Sequence, residues 1–262
     1  MKLDLEFLRT FGYAIVDDMI TDDVVNDMKR EISHLISLSG IESSAESVAH
    51  DFAKLAIANR EKAGKVFDSL KNLPSVNNFI YSYKIQQIFK EALDSKLLLF
   101  PRLQQNCRAD HPGESKFSYP WHNDLSYNGG SVNSYVIWIP LDNVNEDNGS
   151  LHVIPSSQNA HQIVTFDEIS LLNKRSAGYF VVENIKEIID VLGEKRVNLR
   201  RGQGVIFHSK LLHKSGENNT EATRLALQIR CFDAKSKDAV NNHWKGGIDE
   251  GIHPMEYLNK FF

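Results

Sequence analysis

The run Arg224-Leu225-Ala226-Leu227-Gln228-Ile229-Arg230-Cys231 constrains the fold more than any other part of the chain. Leu225, Leu227, Ile229 and Cys231 alternate with Arg224, Ala226, Gln228 and Arg230, and successive side chains of an extended segment leave opposite faces. The segment therefore reads as a strand with one face in a core and one polar face. By period alone, the polar face is either solvated or the wall of a cavity. Other short β-type segments precede it. Tyr135, Ile137 and Ile139 alternate with Val136, Trp138 and Pro140, and Asn148-Gly149 is a tight-turn signal ahead of Leu151 to Ile154. Val197 to Leu199 and Val205 to Phe207 follow, with one helix expected at Ile185 to Leu192. Many short strands at this spacing indicate a sandwich or jelly roll rather than a parallel βαβ sheet.

Residues 1–95 have a different period. Phe11 to Asp17 reads as a short strand, and Thr21 before Asp22 and Asp23 reads as an N-cap with acids in the first helical turn. Val24, Met28, Ile32, Leu35 and Ile36 then recur at helical spacing. Ser43 with Glu46 forms a capping-box pattern for a second helix carrying Val48, Phe52, Leu55 and Ala56. Pro74 and Ser75 open a third, with Phe79, Ile80, Tyr83 and Phe89. Such apolar stripes are expected to pack on a sheet. No repeat, low-complexity tract or linker divides the 262 residues. The expected organisation is one domain over 1–262: a mainly helical zone at 1–95, a β core at 96–232, and a tail at 233–262. The tail's His243, Trp244, Tyr257, Phe261 and Phe262 offer aromatic surface for a lid or a dimer contact, so the chain reads as a monomer or homodimer.

Composition removes several function classes. With 42% hydrophobic and 24% charged residues the chain can bury one sizeable core. Lys plus Arg is 30 against 34 for Asp plus Glu, and no dense basic run is present, so nucleic acid is not an expected partner. The longest apolar runs, such as Leu97 to Phe100, are far too short to span a bilayer. Met1 to Asp18 lacks the basic start and apolar stretch of a signal peptide. Two isolated cysteines, Cys107 and Cys231, fit small buried hydrophobes in a reducing compartment, and a cytoplasmic protein is expected.

The chemistry concentrates in Tyr119-Pro120-Trp121-His122-Asn123-Asp124. His122 and Asp124 are two apart, so in an extended segment an imidazole and a carboxylate leave the same face and can reach one divalent metal. The pair alone is equally a surface pair, and a metal site needs a third ligand. His213, after one short strand and before the Arg224 strand, can supply it. Two histidines and a carboxylate form a facial triad that leaves positions of Fe(II) open for a chelating ligand and dioxygen. Arg224, eleven residues after His213, offers the planar fork that recognises a carboxylate, and Ser215 can add a hydroxyl. On pattern alone Arg224 is also an ordinary strand residue and Ser215 a turn residue. His34, His50, His111, His152, His161, His208, His243 and His253 read as packing or surface residues.

Together, Trp121-His122-Asn123-Asp124, Trp138-Ile139-Pro140-Leu141, the run from Asn148 to Pro155, and His213-Lys214-Ser215 with Asn218 and Arg224 resemble the phytanoyl-CoA dioxygenase family of Fe(II)- and 2-oxoglutarate-dependent oxygenases. Phe11 to Val16 before the Thr-capped helix is similar to that family's entry segment, and the resemblance spans roughly residues 8 to 231. It implies an α+β, mainly β architecture: a cupin-like double-stranded β-helix with the N-terminal helices on its major sheet. It also implies Fe(II) held by His122, Asp124 and His213, with 2-oxoglutarate held by Arg224 and Ser215, Trp138 beside it, and O2 as oxidant. One departure is visible: where the family often reads Pro-Gly-Ser-His, this chain has Pro155-Ser156-Ser157-Gln158.

In related oxygenases that halogenate, a small residue replaces the carboxylate ligand, so the resemblance with Asp124 present implies hydroxylation or another oxidation. The expected substrate is a small or medium polar metabolite, with Gln104, Asn106, Arg108, Asn123 and Tyr127 as candidate contacts. Gln228 and Arg230 join Arg108 and Gln104 as groups suited to a polar or anionic molecule. The competing classes are a cupin-like metal isomerase or hydrolase, which needs the triad without Arg224 and Ser215, and a non-catalytic jelly-roll binding protein, which needs neither.

Overall fold

The computed structural model describes residues 3–114, 119–167 and 180–245. Its chain begins with α1 (Leu5–Phe11), which starts where the Asp4 carboxylate accepts the Phe7 N–H at 2.9 Å and stops at Gly12, φ 80°. β1 (Tyr13–Val16) and α2 (Asp22–Leu38) follow, α2 burying Val25, Met28, Ile32 and Ile36. α3 (Val48–Ala58) and α4 (Arg60–Leu70) are separated by Asn59, whose extended backbone breaks the first helix and whose side chain accepts the Lys62 N–H to cap the second. α5 (Pro74–Ile80) and α6 (Tyr83–Leu93) complete the helical zone. Then come β2 (Leu98–Leu99), β3 (Asn106–Asp110), α7 (Leu125–Asn128), β4 (Ser134–Pro140), β5 (Leu151–Val153), β6 (Val164–Phe166) and β7 (Phe180–Val182). α8 (Ile185–Leu192), β8 (Lys195–Val197), β9 (Gly204–His208), β10 (His213–Ser215), β11 (Arg224–Asp233) and α9 (Lys237–Asn241) close the order.

Three local expectations are corrected. The helix expected from Ser43 starts instead at Val48, because the Ser44 and Ser47 hydroxyls bond one another's backbone N–H groups and Ser47 also bonds Asp51. The helix expected to run from Pro74 through Phe89 is two, because Ser82 is extended and its hydroxyl caps a new start at Tyr83. Helix α1 was not anticipated; its seven residues are too few to show a period.

The major sheet runs β1-β9-β4-β11. β3 pairs the first half of β11, placing Asp110 opposite Arg224 and Asn106 opposite Gln228, and β2 pairs its end. A second sheet runs β10-β5-β8, and all these pairings are antiparallel. Strand alternation then decides which side chain meets which layer. Tyr135, Ile137 and Ile139 of β4 and Leu225, Leu227, Ile229 and Cys231 of β11 join the core formed with Met28, Ile32, Phe52, Ile85 and Phe89 of the helices. Burying each such large apolar side chain contributes about 1.5–3 kcal/mol. The other faces of β4, β9 and β11 present Val136, Trp138, Val205, Phe207 and Ala226 to Leu151, Val153 and Val197 of the second sheet. This is the double-stranded β-helix with helices on its major sheet, and the polar face of β11 points into it.

Among the tail residues, the Trp244 indole N–H donates to the Ala234 carbonyl at 2.9 Å, tying it to the residue that follows β11. Tyr257, Phe261, Phe262 and His253 lie outside the described residues. Among the described residues no helix is long and apolar enough to cross a membrane. Cys107 and Cys231 are free and buried, and burial pushes the Cys107 thiol up to about 12.

Candidate active site

His122 and His213 are far apart in sequence but meet through a reciprocal backbone pair, each N–H donating to the other's carbonyl at 3.0 and 2.9 Å. Their ring centroids lie 4.2 Å apart. Asp124, at the start of α7, turns Oδ1 toward both rings, 3.6 Å from His122 Nε2 and 3.8 Å from His213 Nε2. All three residues are buried, and their ligand atoms lie within 4.8 Å of one another. Each ring's other nitrogen is engaged: His122 Nδ1 with the Pro120 carbonyl at 2.7 Å, His213 Nδ1 with the Leu211 carbonyl at 3.0 Å. A carbonyl partner requires Nδ1 to carry the proton, so both Nε2 lone pairs face the centre. Two imidazole nitrogens and one carboxylate oxygen suit a divalent transition metal with open positions.

Burial acts to raise the Asp124 pKa, but the Arg230 guanidinium and the two imidazoles overcome this and hold it well below the usual carboxylate range. Burial, reinforced by His122, pushes the His213 imidazole down to about 3, so it is a neutral donor at ordinary pH. Asp110 behaves like Asp124: Arg108 and Arg224 together overcome its burial and keep it ionised.

The triad opens into a cavity of about 170 Å³ lined by Gln104, Asn106, Arg108, Tyr119, Tyr127, Asn128, Leu151, Ser215, Gln228 and Arg230. Asn106, Arg108 and Tyr119 also line a larger cavity of about 740 Å³ that reaches Phe67 and Asp68 of α4. Four of the five candidate substrate residues are thus on the cavity wall. Asn123 is not. Its amide instead donates to Gln162 at 2.8 Å and accepts the Ser126 N–H and hydroxyl. Arg230 also departs from the substrate role expected for it, because its Nε donates to Asp124 Oδ2 at 3.0 Å.

Arg224 lies further along the same face of β11 and lines a separate cavity of about 250 Å³ with Lys29, Asp142 and Asn148, not the one into which the triad opens. Its Nη2 donates to Asp110 Oδ2 at 2.7 Å, Nη1 bonds the Gly149 carbonyl, and its guanidinium stands 5.6 Å from the centre of the buried Trp138 ring. Its Nε is buried without a partner. Gly149, at φ 90°, is part of the seat, since a Cβ there would lie 2.6 Å from Arg224 Nη1. Asn218 holds the adjoining turn through the Asp110 and Ala222 carbonyls. The departing loop has its own structural use: Ser156 takes a left-handed φ of 64°, and the Ser157 hydroxyl accepts the Leu212 N–H at 2.8 Å, pinning the residue before His213.

Sequence reasoning missed Asp110, Tyr119, Asn128 and the true partner of Arg230. The signal for Asp110 was present, because the alternation Gln104, Asn106, Arg108 continues two residues further to it. Tyr119 and Asn128 carry no such signal; they reach the cavity from the segments flanking the ligands.

Comparison with known proteins matches residues 8–226 to the family described as Phytanoyl-CoA dioxygenase (PhyH). A Caenorhabditis elegans protein named phytanoyl-CoA dioxygenase domain-containing protein 1 homolog is 18% identical, covering 89% of this chain and 91% of its own length. The L-proline trans-4-hydroxylase of Streptomyces griseoviridis is 29% identical over 140 residues, 47% of this chain and 50% of that one. Among solved structures, the epimerase SnoN in complex with Fe3+, alpha ketoglutarate and nogalamycin RO superposes with a TM-score of 0.62 at 16% identity, over 88% of this chain and 82% of that one. It shares the fold.

Proposed function

The chain belongs to the phytanoyl-CoA dioxygenase family, and from that membership we propose that it is an Fe(II)- and 2-oxoglutarate-dependent oxygenase that hydroxylates a small or medium polar metabolite. The observation that carries the reading is the convergence of His122, Asp124 and His213 on one point, with an unpartnered buried guanidinium nitrogen of Arg224 on the same strand face. The residues fit both groups. The nitrogen and oxygen donors suit Fe(II), and Arg224 Nε with the Ser215 hydroxyl suits the distal carboxylate of 2-oxoglutarate. A metal isomerase or hydrolase has no use for that second anchor.

Fe(II), 2-oxoglutarate and O2 supply the oxidising power, with 2-oxoglutarate converted to succinate and CO2 as the substrate C–H bond is oxidised. The protein's own part is positioning. His122 and His213 present fixed lone pairs, Asp124 supplies a carboxylate, and Arg224, Ser215 and Trp138 orient the cosubstrate. Gln104, Asn106, Arg108 and Tyr127 face the space left for substrate. Arg108 shares Asp110 with Arg224, and Arg230 pairs with Asp124, so the cavity offers paired charges and polar groups suited to a polar substrate. The likeness to a proline hydroxylase supports hydroxylation, and two buried free thiols are consistent with a cytoplasmic enzyme.

Anaerobic titration with Fe(II) and 2-oxoglutarate tests the reading. A visible metal-to-ligand charge-transfer band is expected, absent in His213→Ala and weakened in Arg224→Ala. A folded, iron-loaded protein with no band refutes it. Succinate release coupled to a product one oxygen heavier then tests hydroxylation.

A further inference from the structure

Arg230 stands on the cavity face of β11, yet its guanidinium is engaged entirely within the protein. Nε donates to Asp124 Oδ2 at 3.0 Å, Nη1 to the Gln104 carbonyl at 2.5 Å and Nη2 to the Gln228 side-chain oxygen at 3.2 Å. Its backbone is clamped as well, because the Gln105 amide accepts the Arg230 N–H at 2.9 Å and donates to the Arg230 carbonyl at 3.0 Å. The carboxylate it holds presents only its other oxygen, Oδ1, to the two imidazoles.

We propose that Arg230 is a positioning residue of the metal centre: by occupying Asp124 Oδ2 it confines the carboxylate to one ligand oxygen and keeps free the position a chelating carboxylate would close. The inference rests on the metal site of the proposed function. A carboxylate on a single-bond stem can turn to offer one oxygen or both, and a guanidinium fixed at three points cannot turn with it. Outer partners of this kind orient metal ligands, and their loss typically weakens metal binding about 10- to 100-fold. A nearby positive charge acting alone has the opposite sign, since its removal lessens repulsion of a cation.

That difference in sign makes the inference testable. Fe(II) affinity is measured anaerobically by chelator competition on the full chain, without 2-oxoglutarate, for wild type, Arg230→Met and Arg230→Lys. Positioning predicts binding about 10- to 100-fold weaker in Arg230→Met, with partial recovery in Arg230→Lys, which retains the charge and one donor. Unchanged or tighter binding in Arg230→Met overturns the proposal. In an Asp124→Gly background the Arg230 substitution should weaken binding no further; a loss that persists there means that Arg230 acts through the fold, and also overturns it. If Arg230→Met does not fold, the same cycle run with Arg230→Lys decides, with a loss that vanishes without Asp124 as the supporting result. A wild type that binds Fe(II) but shows no band with 2-oxoglutarate refutes the oxygenase reading alone. A wild type that binds no Fe(II) refutes the metal site itself.

Discussion

Replacement of Gly149 by alanine tests whether the cosubstrate anchor depends on a glycine outside both the metal ligands and the cavity wall. Gly149 has φ 90°, and a Cβ added there would stand 2.6 Å from Arg224 Nη1 and 2.8 Å from the Gly216 carbonyl oxygen. A left-handed backbone costs a residue with a side chain about 1–2 kcal/mol, and forced overpacking about 1–3 kcal/mol more. The structure can relieve the overlap by moving the Arg224 guanidinium off the Gly149 carbonyl, and the turn after Ser215 with it. A guanidinium displaced in this way loses one charge-assisted hydrogen bond to the cosubstrate carboxylate, about 1.5–3 kcal/mol, which corresponds to cosubstrate affinity weakened about 10- to 150-fold. Fe(II) affinity should change less than about threefold, because losses of about 10- to 100-fold follow removal of a group bonded to a metal ligand and Gly149 is bonded to none. Chelator competition reads the metal, and the charge-transfer titration reads 2-oxoglutarate. Unchanged 2-oxoglutarate affinity, or equal losses of metal and cosubstrate, would refute the assignment of Arg224 as the anchor.

Two further outcomes follow from burial. Leu227 is wholly buried on the helix side of β11, while its neighbour Gln228 faces the cavity. Leu227→Ala should lower unfolding stability by about 2–5 kcal/mol. Gln228→Ala should cost far less, and urea unfolding that shows equal losses would contradict the assignment of faces. Metal-free stability should fall as pH drops from about 6.5 toward 4. Burial pushes both His111 and His208 down to about 4, and His208 Nδ1 accepts the Lys210 N–H at 3.1 Å and so must stay unprotonated. Between the two pKa values the unfolded chain binds protons that the folded one refuses, so stability rises with pH across that window. Denaturant midpoints at pH 7 and pH 5 measure it, and the slope should flatten in His208→Gln.

Much of this protein is legible in its sequence because strand parity and helix period are local. The alternation along Arg224 to Cys231 identified both faces of β11, and the same parity placed Asn106 and Arg108 of β3 on the cavity side, whereas Gln104 reaches the cavity from the 3-10 turn Arg102–Gln104 ahead of that strand. Asn123 was beyond such local reasoning, because its amide is taken by Gln162, 39 residues further along the chain. The Ser43 capping pattern misled because short serine side chains bond one another as readily as they cap a helix.

The residue types and spacings by themselves pointed to a sandwich or jelly roll, marked the buried faces and singled out His122, Asp124 and His213, which the structure brings together. Only the tertiary structure decided what each polar group touches. Arg224 and Arg230 sit six residues apart on one face of one strand, and nothing local distinguishes them. Packing gives Arg224 to Asp110 and Gly149, and gives Arg230 to Asp124 beside the two histidines. The reason is physical: direction along a strand is set by the chain's own geometry, whereas a charged side chain's partner is set by whichever strand and loop are packed across from it.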